Sequence, residues 1–253
     1  MAFANDHGSE IIPNIRKLQA LFVDMDDTLV NYKEAVLAGL DSVRQRIPEL
    51  QETSAEEMEG DYRELLTQSL PSLYNKEISY RDDGRMRLSE ILGRHGWKSD
   101  KEDIIPYDNL FWTIFWKNRR LLNGAINVLR LCSEYEIPIA IITNGNPQIQ
   151  FRTMIRLKLH NYIDIVLTPA NVNEMKPSNT LFERAMAVLD VKPERVIMVG
   201  DSFSHDVMGA VNAGIVPVWF NNSKKKRTQD VNAVEVASFN ELLDKLQFNG
   251  GNK

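Results

Sequence analysis

Ala20-Leu21-Phe22-Val23 is an apolar run that stops abruptly at a cluster of acids, Asp24, Asp26 and Asp27, followed by Thr28. Such a run is long enough for a buried strand and too short to mark a helix. Carboxylates gathered at the end of a strand repel one another unless a cation sits among them, and a hard divalent metal suits oxygen ligands. The competing reading is an acidic turn that caps the next element, since Asp and Thr are good turn and N-cap residues. Only polar groups arriving at the same edge from elsewhere in the chain separate the two.

From residue 124 onward the chain supplies them. Gly124 to Glu136 reads as an amphipathic helix and Ile137 to Ile142 as a buried strand that ends in Thr143-Asn144-Gly145. A helix over 147–159 precedes the strand Ile163 to Leu167 and the loop that carries Lys176-Pro177. A helix over 179–189 leads into the strand Arg195 to Val199, which ends in Gly200-Asp201-Ser202. A helix over 204–213 stops at Gly214, the usual C-terminal glycine, and Val216 to Phe220 forms the next strand, with Pro217 pointing to an edge or a bend. Ala233 to Val236 reads as a short edge strand and Phe239 to Leu246 as a final helix. Strands alternating with helices in this way predict a parallel sheet covered on both faces. In open parallel sheets, ligands bind beyond the carboxyl ends of the strands. Asp24, Asp26, Thr143, Asn144, Lys176, Asp201 and Ser202 are all expected at that edge.

Residues 31–118 behave differently. Ala35, Leu37, Leu40 and Val43 recur near helical spacing, Ser54 and Glu57 form a capping-box pattern opening a helix through about Leu66, and 81–93 and 107–119 are also helical in pattern. Nothing there alternates with period two. The expected architecture is therefore α/β: a Rossmann-like core from 13–30 and 119–253, with an all-helical insert at 31–118. Trp112 and Trp116 are expected to pack between the insert and the core rather than to form a substrate platform. The first dozen residues and the tail from Asn249 are expected to be poorly ordered.

A length of 253 residues, 43% of them apolar, suits a globular core plus an insert. The net charge of −5 argues against a nucleic-acid binder. Lys224 to Arg227 reads as a solvated basic loop. The single cysteine, Cys132, excludes an intrachain disulfide and a cysteine-based zinc site, and it reads as inert core. No apolar run reaches the ~20 residues needed to span a bilayer, and the N-terminus lacks a signal sequence, so cytoplasmic residence is expected. His95, His160 and His205 have no partner pattern and are assigned no chemistry. Oligomeric state is not legible.

With those elements placed, the sequence resembles the haloacid dehalogenase-like hydrolase superfamily. FVDMDDTLV matches its first motif in the phosphatase form Asp-x-Asp-x-Thr, ITNG the second, Lys176-Pro177 the third and VGDSFSHD the fourth. The order and spacing agree over 24–206, and the insert resembles the family's C1-type cap. TNGNPQIQ and YIDIVLT resemble a branch of nucleotidases, sialic-acid-phosphate phosphatases and archaeal glyceraldehyde-phosphate phosphatases. Ser178-Asn179 departs from the Asp-Pro that often follows the Lys-Pro.

The resemblance implies an Mg2+-dependent phosphomonoesterase working through an aspartyl phosphate. Asp24 is implied as nucleophile and Asp26 as general acid and base. Asp24, Asp201 and the main-chain carbonyl of Asp26 are implied as metal ligands. Thr143, Asn144, Gly145 and Lys176 would bind the transferring phosphoryl group, with Thr28, Ser202 and Asp206 supporting them. Asp27 would help cap the loop with Thr28. The substrate is expected to be a small sugar or triose phosphate, with a nucleoside 5'-monophosphate as the alternative. Tyr32, Lys33, Tyr62, Tyr74 and Arg81 are the cap residues available for recognition. A phosphosugar mutase also keeps both aspartates. A 2-haloacid dehalogenase has no use for Asp26, and a non-catalytic binding protein has no use for a nucleophile and an acid together.

Overall fold

The strand at Ala20–Val23 becomes the centre of a parallel sheet. The computed structural model describes residues 12–75, 77–98 and 103–248; the expected lead-in and tail fall outside these, in whole or in large part. Among the described residues the strands are β1 (Ala20–Val23), β2 (Ile139–Ile142), β3 (Ile165–Leu167), β4 (Val196–Gly200), β5 (Val216–Phe220) and β6 (Val234–Val236). They form one six-stranded sheet in the order β3-β2-β1-β4-β5-β6, every neighbouring pair parallel. The fold class expected from the sequence is the one observed.

Successive chain segments run outward from β1 to one edge through β2 and β3, then return to its other side at β4 and run outward again. The switch in strand order therefore lies beside β1, where α/β proteins open a crevice. Alternate residues of β1, Ala20 and Phe22, join Ala140, Ile142, Val196 and Met198 in a buried cluster with Leu181, Phe182 and Ala185. Each large side chain removed from water in this way contributes about 1.5–3 kcal/mol. Pro217 is not in an edge strand. It pairs with Met198 on one side, while β6 joins β5 only from Val218 onward, so the residue lacking an N–H falls where β5 has a single neighbour.

The chain divides into two compact units, Val30–Arg120 and the remainder. The first holds α1 (Tyr32–Arg44), α2 (Ala55–Tyr74), α3 (Tyr80–Arg94) and α4 (Ile104–Asn118), with no strand among its described residues. The Ser54–Glu57 capping box forms: Ser54 Oγ accepts from Glu57 N at 3.2 Å and Glu57 Oε2 accepts from Ser54 N at 2.8 Å. The helix it opens runs to Tyr74 rather than stopping near Leu66, because Leu73 continues the buried stripe and the hydroxyls of Thr67 and Ser69 fold back onto carbonyls of the same helix. Phe111, Phe115, Trp112 and Trp116 form an aromatic ladder along α4.

The second unit continues with α5 (Ala125–Glu134), α6 (Pro147–Arg156), α7 (Pro169–Val172), α8 (Thr180–Leu189), α9 (Met208–Asn212) and α10 (Phe239–Phe248). The helix expected over 204–213 opens as a π-helical turn, Phe203–Val207, before α9. No helix among the described residues is long and apolar enough to cross a membrane. Cys132 is fully buried on α5, and burial pushes its thiol up to about 12. Thiolate is the reactive form, so Cys132 should be inert to Ellman's reagent at pH 8 in the native protein and titrate as one thiol after unfolding in guanidinium.

Candidate active site

The carboxyl ends of β1, β2 and β4 bring together groups from four separate stretches of chain. The backbone of Asp24 continues the ladder past β1, donating to Val199 O at 2.9 Å. Asp27 adopts a left-handed conformation (φ 61°), which Asp tolerates, and this turns the loop back. Thr28 is fully buried; its hydroxyl accepts from Asp201 N at 2.9 Å and so ties the first loop to the end of β4.

Lys176 sits at the centre, 2% exposed. Its ammonium donates to Asp24 Oδ1 at 2.7 Å, to Asp206 Oδ1 at 2.5 Å and to the carbonyl of Ile142 at 2.6 Å. An ammonium has three protons, and all three are used. Its backbone is held as firmly: Asn144 Oδ1 accepts from Lys176 N at 2.8 Å and Asn144 Nδ2 donates to Lys176 O at 3.0 Å. The Asn144 side chain thus clasps the lysine loop. Thr143, buried, accepts from Gly145 N at 3.0 Å and so shapes the turn into α6.

Asp206 is 1% exposed and spends its second oxygen on Ser202 N at 3.0 Å. Gly200 is required here, because a Cβ on it would lie 2.2 Å from Asp206 Oδ2. Asp24, Asp201 and Asp206 have carboxylate oxygens within 4.8 Å of one another. Burial pushes the Asp24 carboxyl well above the ordinary carboxylate range, Lys176 opposes this, and Asp206, Asp201 and Asp26 push it further up. Burial and Asp206 likewise raise Asp201, against the pull of Lys225. Burial works to lower the Lys176 ammonium, but Asp206 and Asp24 outweigh it and the net shift is upward. The buried Lys176 and the half-exposed Lys225 are two ammonium groups against three carboxylates, which leaves negative charge in excess. Hard oxygen donors holding excess negative charge are what a divalent cation such as Mg2+ requires, so the residues present fit one.

Asp26 stands apart from the other acids. Its Oδ2 accepts from Gln150 Nε2 at 2.6 Å, and Gln150 on α6 is 1% exposed. Gln150 and Lys225 escape a reading of the sequence. Lys225, in the basic run expected to be solvated, donates to Asp201 Oδ2 at 3.0 Å. His205 approaches only Ser202, on the surface.

In the helical unit, taken by itself, Tyr62 is buried beneath the Arg87 guanidinium, 4.5 Å from the ring centre, and Arg87 pairs with Asp83 at 2.6 Å. Arg119, also buried, lies 5.2 Å from the Tyr32 ring centre. Lys33 reaches Glu59 at 3.7 Å.

A parallel sheet that gathers a carboxylate–ammonium cluster beyond its strand ends, at the switch in strand order, is an α/β fold with a candidate active site where such folds place one. The model of the haloacid dehalogenase-like hydrolases matches residues 18–214, and the chain belongs to that family. It is similar to the glyceraldehyde 3-phosphate phosphatase of Pyrococcus furiosus, 30% identical over 211 residues and covering 83% of each chain. It also resembles the pyrimidine 5'-nucleotidase PynA of Streptococcus pneumoniae, 25% identical over 234 residues, 90% of this chain and 95% of that one. Among solved structures, the magnesium-bound HAD-hydrolase YfnB of Bacillus subtilis shares the fold, with a TM-score of 0.69 at 19% identity over 90% of this chain and 98% of that one.

Proposed function

We propose that this phosphatase hydrolyses a small sugar or triose phosphate through an aspartyl phosphate on Asp24. The observation that carries the reading is the buried Lys176 ammonium shared by Asp24 and Asp206, with Asp26 two residues from Asp24 and held outside that cluster. In this reading a carboxylate oxygen of Asp24 attacks phosphorus, and the bond from phosphorus to the ester oxygen breaks as Asp26 gives that oxygen its proton. Asp26, now anionic, takes a proton from the water that attacks the aspartyl phosphate, releasing inorganic phosphate and restoring Asp24. Thr143, Asn144 and Gly145, in the turn before α6, are the residues we assign to the phosphoryl oxygens, Thr143 through its hydroxyl and Asn144 through its backbone N–H. The Gly145 N–H, which now bonds Thr143 Oγ1, is free to turn to the phosphate once it binds, and Lys176 offsets the negative charge of Asp24.

Asp24, Asp201 and the main-chain carbonyl of Asp26 are the groups we assign to Mg2+. When bound, Mg2+ screens the repulsion between the Asp24 anion and the phosphate dianion. Asp206 holds Lys176 and the Ser202 amide instead. The helical unit, 31–118, acts in this reading as a cap that encloses the rest of the substrate. The likeness of the whole chain to the Pyrococcus furiosus enzyme favours glyceraldehyde 3-phosphate or a related ester, and its likeness to PynA makes a nucleoside 5'-monophosphate the second candidate. The working environment proposed is the cytoplasm.

The test is phosphate release across a panel of triose, pentose and hexose phosphates and nucleoside monophosphates in Mg2+. Turnover is expected on at least one sugar phosphate. Exhaustive treatment with EDTA should reduce it to background, and Mg2+ should restore it. A folded protein that releases phosphate from no member would end the reading, and activity persisting after chelation would remove the metal from it.

A further inference from the structure

We infer that Gln150 is a positioning residue that holds the Asp26 carboxylate away from Lys176, so that the two acids of the first loop keep separate roles. The inference rests on the reading of Asp26 as proton donor given above and extends it to a residue outside the family motifs.

Asp24 and Asp26 lie on one short loop beside a buried ammonium and a cluster of acids. Left to electrostatics alone, both carboxylates turn toward the positive charge. A proton donor must instead stay outside the cation's grasp and face the ester oxygen. In the structure Lys176 donates to Asp24 of this loop and to Asp206, while Asp26 Oδ2 takes a 2.6 Å bond from Gln150 Nε2. Gln150 is committed to this contact. The residue is 1% exposed, and its own Oε1 is buried with no hydrogen-bond partner among the described residues. A glutamine whose role was packing would be served better by an apolar side chain of the same size, because a buried amide oxygen without a donor is destabilising.

The surroundings are shaped to the contact as well. A Cβ on Gly145 would lie 1.8 Å from Gln150 Nε2 and 2.9 Å from Asp26 Oδ2, so the amide and the carboxylate meet directly over the one residue that leaves them room. Gln150 reaches this place because α6 starts at Pro147 with Asn146 as its cap, the Asn146 Oδ1 accepting from Gln148 N at 2.8 Å and Ile149 N at 3.3 Å. Its first turn thereby faces the loop after β1.

The experiment compares two substrates of different leaving-group demand. An alkyl phosphate that the wild type turns over needs its departing oxygen protonated, whereas p-nitrophenyl phosphate releases a stable phenolate without help. Gln150→Met keeps the volume and removes the donor; Gln150→Glu keeps the shape and sets a carboxyl against Asp26. Both are expected to lower kcat/KM on the alkyl phosphate, which reports transfer to Asp24 and not the later attack of water, about 10- to 100-fold, a part of the ~10²–10⁴ that general acid catalysis supplies. On p-nitrophenyl phosphate kcat/KM should stay within about threefold of wild type, which also reports that the variant is folded, while kcat can fall on both substrates through the shared hydrolysis of the aspartyl phosphate, for which Asp26 is the base. Gln150→Asn keeps the amide but is too short to bridge the gap, and it should fall with the other two. Equal losses of kcat/KM on both substrates, or a wild-type kcat/KM on the alkyl phosphate in either size-matched variant, would overturn the inference. Asp26→Asn, run alongside, tests the underlying reading: if it lacks the leaving-group-dependent loss, the assignment of Asp26 as proton donor fails, whereas if Asp26→Asn shows that loss and the Gln150 variants do not, only Gln150's role falls.

Discussion

Asp24→Asn is expected to abolish turnover on every substrate while leaving the chelated protein at least as stable as wild type at neutral pH. An amide does not form the acyl phosphate, so the loss should be on the order of 10⁴-fold or more, as for nucleophiles generally. The stability half follows from the surroundings of the carboxyl. Burial, with Asp206, Asp201 and Asp26, raises Asp24 well above its unfolded value despite Lys176. A carboxyl raised on folding binds its proton more tightly in the native state. In the absence of metal, stability therefore falls as pH rises from about 4, the unfolded value, through the higher folded one. Asparagine has no such titration, and its side-chain oxygen still accepts from Lys176. Thermal melts in EDTA should show Asp24→Asn with a flatter pH dependence above pH 4 than wild type. A variant much less stable than wild type at pH 7 would mean that the Asp24 anion holds the site together, against the electrostatics described here.

The parts of this site that are legible in the sequence are those where one stretch of chain carries both a strand and its chemistry. β1 with Asp24, β2 with Thr143 and β4 with Asp201 each show an apolar run ending in a polar group, and a parallel sheet brings such ends to one edge whatever the strand order. What is not legible depends on pairing across the chain. The motif suggests Asn144 for the phosphate through its backbone, and gives no sign that its side chain clasps the backbone of Lys176, a contact spanning 32 residues. Gln150 looks like any polar residue of an amphipathic helix, and only the return of α6 over the loop after β1 buries it. Lys225 belongs to a basic run that composition assigns to solvent, and it finds Asp201 across 24 residues. In the helical unit the same limit applies. Helical spacing places the apolar stripes, but charged residues are read as facing water, so the buried Arg87 and Arg119 give no signal until Tyr62 and Tyr32 are seen against them.

Lys176→Met should be the most destabilising single change in the site as well as a severe catalytic one. The methionine fits the stem of the lysine but donates nothing, which strands Asp24 Oδ1, Asp206 Oδ1 and the Ile142 carbonyl in the interior. Removing one member of a buried charge pair costs about 3–5 kcal/mol, because the partner is left uncompensated. The native ammonium has a raised pKa, so its stabilisation is fully present below the unfolded lysine value near ~10.4 and is lost only as pH climbs beyond it. The deficit of the variant should therefore be large at pH 7 and shrink as pH falls through the raised range of Asp24, which takes up its proton and stops repelling Asp206. Denaturant melts at pH 4 and pH 7 measure that difference. Arginine offers a rigid planar fork in place of three converging protons and should not rescue the site. A double variant, Lys176→Met with Asp206→Leu, should recover much of the lost stability by removing a stranded charge. Its phosphatase activity should remain about 10²–10³-fold down, the usual loss when one electrostatic donor to a transition state is removed. Recovery of both together would show that Lys176 serves the fold alone.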